Sequence, residues 1–302
     1  MYYLVFALVY VASLLPWRVL YALSDVASFI LYRLVGYRKT VVADNLLHAF
    51  PEKTPAERKE IEKKFYSRFC DNWIETIKLI SISKKTIRKR FTGNVSIFFE
   101  QHATGRSLQG NFGHFFNWEA LSFFFSATQP YQVLAVYFPQ KSQVMDRLLK
   151  YIRGRFGSVL IPLPEMARQI IPWRRKQYMI ALIGDQSPVV PAASYWLNFM
   201  NRPACFVKGP EKYARGQNIP VTVTLTTRPR RGYYHCESHL LVEDPSALPE
   251  GEIMRRYVKF LEHNIRLQPE LYLWSHRRWK HAWKKEYREM WIGEDDTIPN
   301  GQ

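Results

Sequence analysis

Between residues 107 and 184 the chain alternates short apolar runs with helix-spaced ones, and this alternation limits the possible folds more than any other feature. Residues 107–113 read as a short strand closing on glycine, and 117–125 as the start of an apolar helix. Residues 131–138 alternate as a strand does, whereas 142–156 carry Met145, Leu148, Leu149 and Ile152 at helical spacing. A short strand at 159–162, a helix at 164–174 and a buried-type strand at 178–184 follow. Strands alternating with helices predict an α/β fold, a sheet covered by helices on both faces. Two further strands are expected at 219–227 and 233–242, then a helix over 251–267. Upstream, Thr54-Pro55-Ala56-Glu57 reads as a capped helix start running towards Leu79.

The first 40 residues stand apart. Residues 2–15 are uninterruptedly apolar or small and end at Pro16-Trp17-Arg18, while 19–35 carry Ser24, Asp25, Ser28 and Arg33 as clear interruptions. A membrane-crossing helix needs about 20 apolar residues, so the first run is short and the second impure. No basic segment precedes the run and no small-x-small site follows it, which weighs against a cleaved signal peptide. The expectation is a membrane-embedded or interfacial helical segment over 1–40 and one catalytic domain over 41–302. Arg33, Arg38 and Lys39 argue that this domain faces the cytoplasm. Lys+Arg 43 against Asp+Glu 26 leaves a formal +17, which draws a protein to nucleic acid or to an anionic membrane surface. With 15% aromatic residues, the membrane is favoured. Cys70, Cys205 and Cys236 form no CxxC, so neither a disulfide framework nor a zinc site is indicated. His235 and His239 have His-x3-His spacing, but on a strand they lie about 13 Å apart, too far for one metal.

Gly113-His114-Phe115-Phe116-Asn117-Trp118-Glu119 falls where a strand becomes a helix. Inside one helix the His and the Glu would point to different faces. With His114 in the loop and Glu119 in the first helical turn, the two converge. A carboxylate on one imidazole nitrogen frees the other to take a proton from a hydroxyl, which suits acyl transfer to an alcohol. Asp185-Gln186 follows the buried strand, where α/β folds place site residues, or else forms a turn. In the tail, the run 271–285 interleaves aromatics with bases. It fits stacking on single-stranded nucleic acid. It also fits Arg277, Arg278 and Lys280 on lipid phosphates with Trp274 and Trp279 in the interface, and the N-terminal segment favours this reading.

Five blocks, 37–51, 113–119, 153–157, 184–186 and 272–280, resemble in order and approximate spacing those of the late lipid A acyltransferases. These lauroyl and myristoyl transferases of Gram-negative inner membranes belong to the lysophospholipid and glycerol-phosphate acyltransferase superfamily. The resemblance spans nearly the whole chain and departs at 189–202. It implies a mixed sheet flanked by helices, of the glycerol-phosphate acyltransferase type, with an N-terminal membrane-associated helical segment. It further implies an acyl carrier protein donor, a lipid A precursor acceptor, the cytoplasmic face of the inner membrane, and no cofactor or metal. His114 would act as general base supported by Glu119, with Arg153 as the site arginine and Arg155 its alternative. Asn117, Arg155, Asp185, Gln186, Arg277, Arg278 and Lys280 are then candidate substrate contacts. Three rival readings are a lysophospholipid, aminolipid or other glycolipid acceptor, an acyl hydrolase, and a membrane-tethered nucleic-acid binder.

Overall fold

The computed structural model describes residues 1–294. It opens with α1 (Tyr2–Leu14), α2 (Trp17–Phe29, prolonged by a π-helical turn, Ile30–Val35), α3 (Lys39–Ala49) and α4 (Pro55–Lys78). Next come α5 (Lys84–Arg90), β1 (Phe91–Asn94), α6 (Ser96–Ala103), β2 (Leu108–Phe112), α7 (Trp118–Thr128) and β3 (Gln132–Tyr137). These lead to α8 (Gln143–Gly154), β4 (Val159–Pro162), α9 (Met166–Gln169), β5 (Tyr178–Ile183), β6 (Ser194–Phe199) and β7 (Arg202–Val207). The series ends with α10 (Gly209–Gln217), β8 (Val221–Arg230), β9 (Tyr233–Val242) and α11 (Glu252–Leu267), and beyond it the described chain forms 3-10 turns.

Seven strands form one sheet in the order β4-β3-β5-β2-β8-β9-β1. The run from β4 to β8 is parallel, β9 is antiparallel to β8, and β1 is parallel to β9, so the sheet is mixed as expected. Every residue of β2 is buried, which requires cover on both faces. Phe123, Phe124 and Phe125 of α7 pack with Leu108, Phe112 and Met179 in one cluster. Met254, Tyr257 and Leu261 of α11 pack with Phe206, Val223 and Tyr272 in another.

Local chemistry explains most element ends. Thr54 and Glu57 form a reciprocal capping box with Pro55 at the first position of α4. The helix expected over 164–174 is instead three short pieces, Leu163–Glu165, Met166–Gln169 and Ile171–Trp173. Pro172 lacks the N–H that would continue the ladder. The region 189–202 contains β6 and the start of β7, a hairpin turning on Met200 and Asn201 at φ 48° and 66°, the two left-handed residues of a type I′ loop. No single described helix is long and apolar enough to cross a membrane, although α1 and α2 with its extension, bent by 115°, are so when taken together.

Candidate active site

β2 and β5 are adjacent parallel strands with Phe112 opposite Ile183. Two residues further, His114 and Asp185 emerge side by side at their C-terminal ends, where open α/β sheets collect ligands. Asp185 accepts hydrogen bonds from the His114 backbone N–H at 2.8 Å and from its Nδ1 at 2.6 Å. Burial by itself would raise the Asp185 carboxyl; the His114 imidazole, these two bonds and the Arg278 guanidinium reverse that and hold it below the usual carboxylate range. A carboxylate on Nδ1 keeps the proton there and leaves Nε2 basic. Nε2 faces the side-chain amide of exposed Gln186 at 3.2 Å. The loop is held from behind, since Tyr257 Oη donates to the Phe112 carbonyl at 2.5 Å. A Cβ on Gly113 would come within 2.7 Å of Leu261 Cδ2 and of the Phe115 ring, so glycine lets the chain press onto α11.

The carboxylate expected on the imidazole was that of Glu119, and here the structure corrects the sequence reading. Asn117 caps α7 by accepting from the Ala120 N–H at 3.1 Å, which puts Glu119 in the first turn. Its carboxylate turns to Arg153 at the end of α8, making a two-point ion pair that includes Nε to Oε2 at 2.8 Å. It also accepts from Trp118 Nε1 at 3.2 Å. Burial alone would lower the Arg153 guanidinium, and the Glu119 charge more than offsets this to raise it. The reason for the arrangement is electrostatic: a buried carboxylate needs a cation, and His114 already has Asp185. Trp118 joins the two pairs, its ring standing edge-on to His114 at 5.3 Å between centroids.

The remaining sequence candidates divide. Asn117 is fully buried and donates to Glu75 Oε2 at 3.1 Å, so it is a helix cap rather than a substrate contact. Arg155 binds the carbonyls of Leu79 and Ile82 just beyond α4, away from the imidazole. Arg277 and Lys280 are exposed and line a cleft of about 250 Å³ with Thr40, Asp44 and Asn45. Trp274 and Trp279 are 1% and 9% exposed, so they belong to the core and not to an interface, and Arg278 is buried with them at 2%. What the sequence did not disclose is that this tail braces the site. Phe116 N–H donates to the Leu271 carbonyl at 2.9 Å, Leu273 N–H to the His114 carbonyl at 3.1 Å, and Ser187 N–H to His276 Nε2 at 3.0 Å. Burial, reinforced by Arg278, pulls His276 down to about 4, so it stays neutral as an acceptor.

A family model, bacterial lipid A biosynthesis acyltransferase, matches residues 1–281. No curated protein matches the chain. The match takes in β2 and β5, the His114–Asp185 pair beyond their ends and the Glu119–Arg153 pair between α7 and α8. With nearly its whole length covered, the chain belongs to the bacterial lipid A biosynthesis acyltransferase family and is an acyltransferase.

Proposed function

We propose that this acyltransferase moves a fatty acyl group from an acyl carrier protein thioester to a hydroxyl of a lipid A precursor, at the cytoplasmic face of a bacterial inner membrane. The observation that carries the reading is the 2.6 Å contact of His114 Nδ1 with buried Asp185, which leaves Nε2 as the base. The acceptor hydroxyl displaces the Gln186 amide from Nε2. Its oxygen attacks the thioester carbonyl while its proton passes to Nε2, and the carbonyl π pair moves onto oxygen. Collapse breaks the C–S bond, and the imidazolium returns the proton to the departing thiolate. Asp185 remains ionised throughout and stabilises the transient cation. General-base assistance of this kind is worth about 10²–10⁴-fold. Arg153 uses Nε and one Nη on Glu119, and its other Nη serves as a donor to the developing oxyanion.

A lipid acceptor calls for a lipid-facing surface. Leu4, Leu8, Val11 and Leu14 of α1, with Leu23, Val26 and Phe29 of α2, are large apolar residues about half exposed or more. Beside them Arg147 lies over the Tyr2 ring at 4.1 Å and Arg90 over the Trp17 ring at 3.6 Å, which suits an anionic headgroup layer. The bent pair α1–α2 thus lies in the membrane surface and brings the site to its substrate.

Mass spectrometry of total lipids from a strain lacking this protein tests the proposal. Lipid A missing one acyl chain is expected, restored by the wild-type gene and not by His114→Ala. Unchanged lipid A, with the chain lost from a phospholipid, aminolipid or other glycolipid, would reassign the acceptor. Release of free fatty acid with no acylated product from the purified enzyme would make it a hydrolase.

A further inference from the structure

The segment 271–280, whose backbone and His276 ring brace the loops at His114 and Ser187, also forms one wall of the cleft of about 250 Å³. Arg277 and Lys280 stand exposed on that wall, and neither has an ion-pair partner among the described residues. The facing wall includes Thr40 and Val41 in the first turn of α3. This helix start has no side-chain cap and no acidic residue in its first turn, so its backbone N–H groups present an uncompensated partial positive charge. Trp279 lines the cleft as well. It is 9% exposed, and its indole Nε1–H has no hydrogen-bond partner among the described residues. The walls are clamped together. Arg38 Nη1 donates to the Ser275 carbonyl at 2.8 Å, and Nδ2 of buried Asn45 to the carbonyls of Trp274 and His276 at 2.7 and 2.9 Å. Donors held in place in this way cost less to order when a ligand arrives. Asp44 is the one carboxylate in the lining, and Arg202 at 3.7 Å compensates it, with His48 Nδ1 at 3.4 Å.

We propose that this cleft binds a phosphoryl group on the headgroup of a lipid. Two free cations, an uncapped helix start and an unpaired indole N–H form a set of donors suited to a compact anion. The recessed shape favours such a group over the flat acidic face of a protein. A lipid is favoured by position, because only the turn 36–38 separates α3 from Leu34 and Val35, which are 71% and 64% exposed at the end of the apolar N-terminal helices. The cleft therefore lies at the border of the lipid-facing surface, where headgroups are. The proposal rests on the reading of those helices as lying in the membrane surface and of the acceptor as a lipid. It also revises the grouping expected from the sequence: Arg278 is buried, and α3 takes its place beside Arg277 and Lys280.

The test uses the purified full-length enzyme with acyl carrier protein thioester as donor and a lipid A precursor as acceptor, either carrying its phosphates or stripped of them. The variants are Arg277→Gln/Lys280→Gln and Thr40→Glu. The first removes two exposed, unpaired charges, and the second adds an acid where a helix start favours one, so both keep the fold. Each should raise KM for the phosphorylated acceptor about tenfold or more, the scale of one lost hydrogen bond to a charged group. kcat should stay within about twofold, and KM for the stripped acceptor should not change. That result assigns the phosphoryl group to the acceptor. If KM is unchanged but flotation with phosphatidylglycerol vesicles weakens about tenfold while flotation with equally charged oleate vesicles does not, the group belongs to a membrane phospholipid and the proposal stands with that source. Equal KM rises for both acceptors, equal losses on both kinds of vesicle, or no change in either assay would overturn it. So would a wild-type melting temperature raised by inorganic phosphate and not in the variants, with KM and flotation unchanged, which would make this a site for a free anion. Wild-type enzyme that acylates neither acceptor and floats with neither vesicle would remove the underlying reading; active, floating wild type with indistinguishable variants removes only the cleft.

Discussion

Asp185 and Glu119 are both buried carboxylates next to the same tryptophan loop, yet each has a different partner. The structure therefore groups four residues as two units, His114 with Asp185 and Glu119 with Arg153. Residues acting as a unit are strongly non-additive. Asp185→Asn is expected to lower kcat by roughly 10⁴-fold, the scale seen when the carboxylate that orients a triad histidine is replaced by an amide. Combined with His114→Ala it should add little. Glu119→Gln and Arg153→Gln should likewise be non-additive with each other, because either leaves the same buried pair broken. Single-turnover rates for the four single variants, these two doubles and the Glu119→Gln/His114→Ala double check this. Coupling of Glu119 to His114 in place of Arg153 would contradict the pairing. At this scale His114 was legible from the glycine before it and the helix after it. Its partner was not, because Asp185 lies 71 residues away and only strand order brings it near.

At the scale of elements, the first turn of α7 shows how the site is anchored to the rest of the fold. Asn117 caps that helix with one side-chain atom and with the other donates to Glu75, which also accepts from Tyr234 Oη at 2.7 Å and Tyr21 Oη at 3.1 Å. Burial raises the Glu75 carboxyl, and the Arg228 guanidinium and the bonds from Tyr234 and Asn117 oppose this by stabilising its charge. Asn117→Ala removes a cap and leaves a buried carboxylate short of a donor, so a loss of about 2–3 kcal/mol is expected. Asn117→Ser keeps the capping oxygen and should recover about half of that loss, read from denaturant midpoints; equal losses for the two variants would show that the Glu75 contact dominates. The long periodic elements here were readable in advance, as was the Thr54 capping box. The β6–β7 hairpin and the proline-broken stretch before β5 were not, since their form follows from left-handed turn residues and from proline sterics that a hydrophobic pattern does not display.

For the whole molecule, the placement of α1 and α2 matters most. α2 is fastened to the catalytic body by charge: Ser24 Oγ donates to Asp71 at 2.7 Å, Arg228 pairs with Asp71 at 2.6 Å, and Arg231 bridges Asp25 and Asp71. The apolar side chains on the opposite surface stay exposed. Leu8→Ala and Leu23→Ala should each weaken binding to vesicles containing anionic phospholipid by roughly tenfold, given about 0.8 kcal/mol per methylene removed and partial immersion. Flotation of the purified protein with such vesicles measures this, and unchanged binding would show that these helices do not lie in the lipid. The sequence by itself determined the α/β class, the apolar N-terminal pair, the basic surface charge and the histidine, because each depends on spacing or composition within a few turns of chain. Only the tertiary structure decided that Asp185 serves the histidine, that Glu119 serves Arg153 and that the aromatic tail is core. Those outcomes depend on which strands become neighbours and which buried charges find a partner first, and both are settled by contacts between residues far apart in the chain.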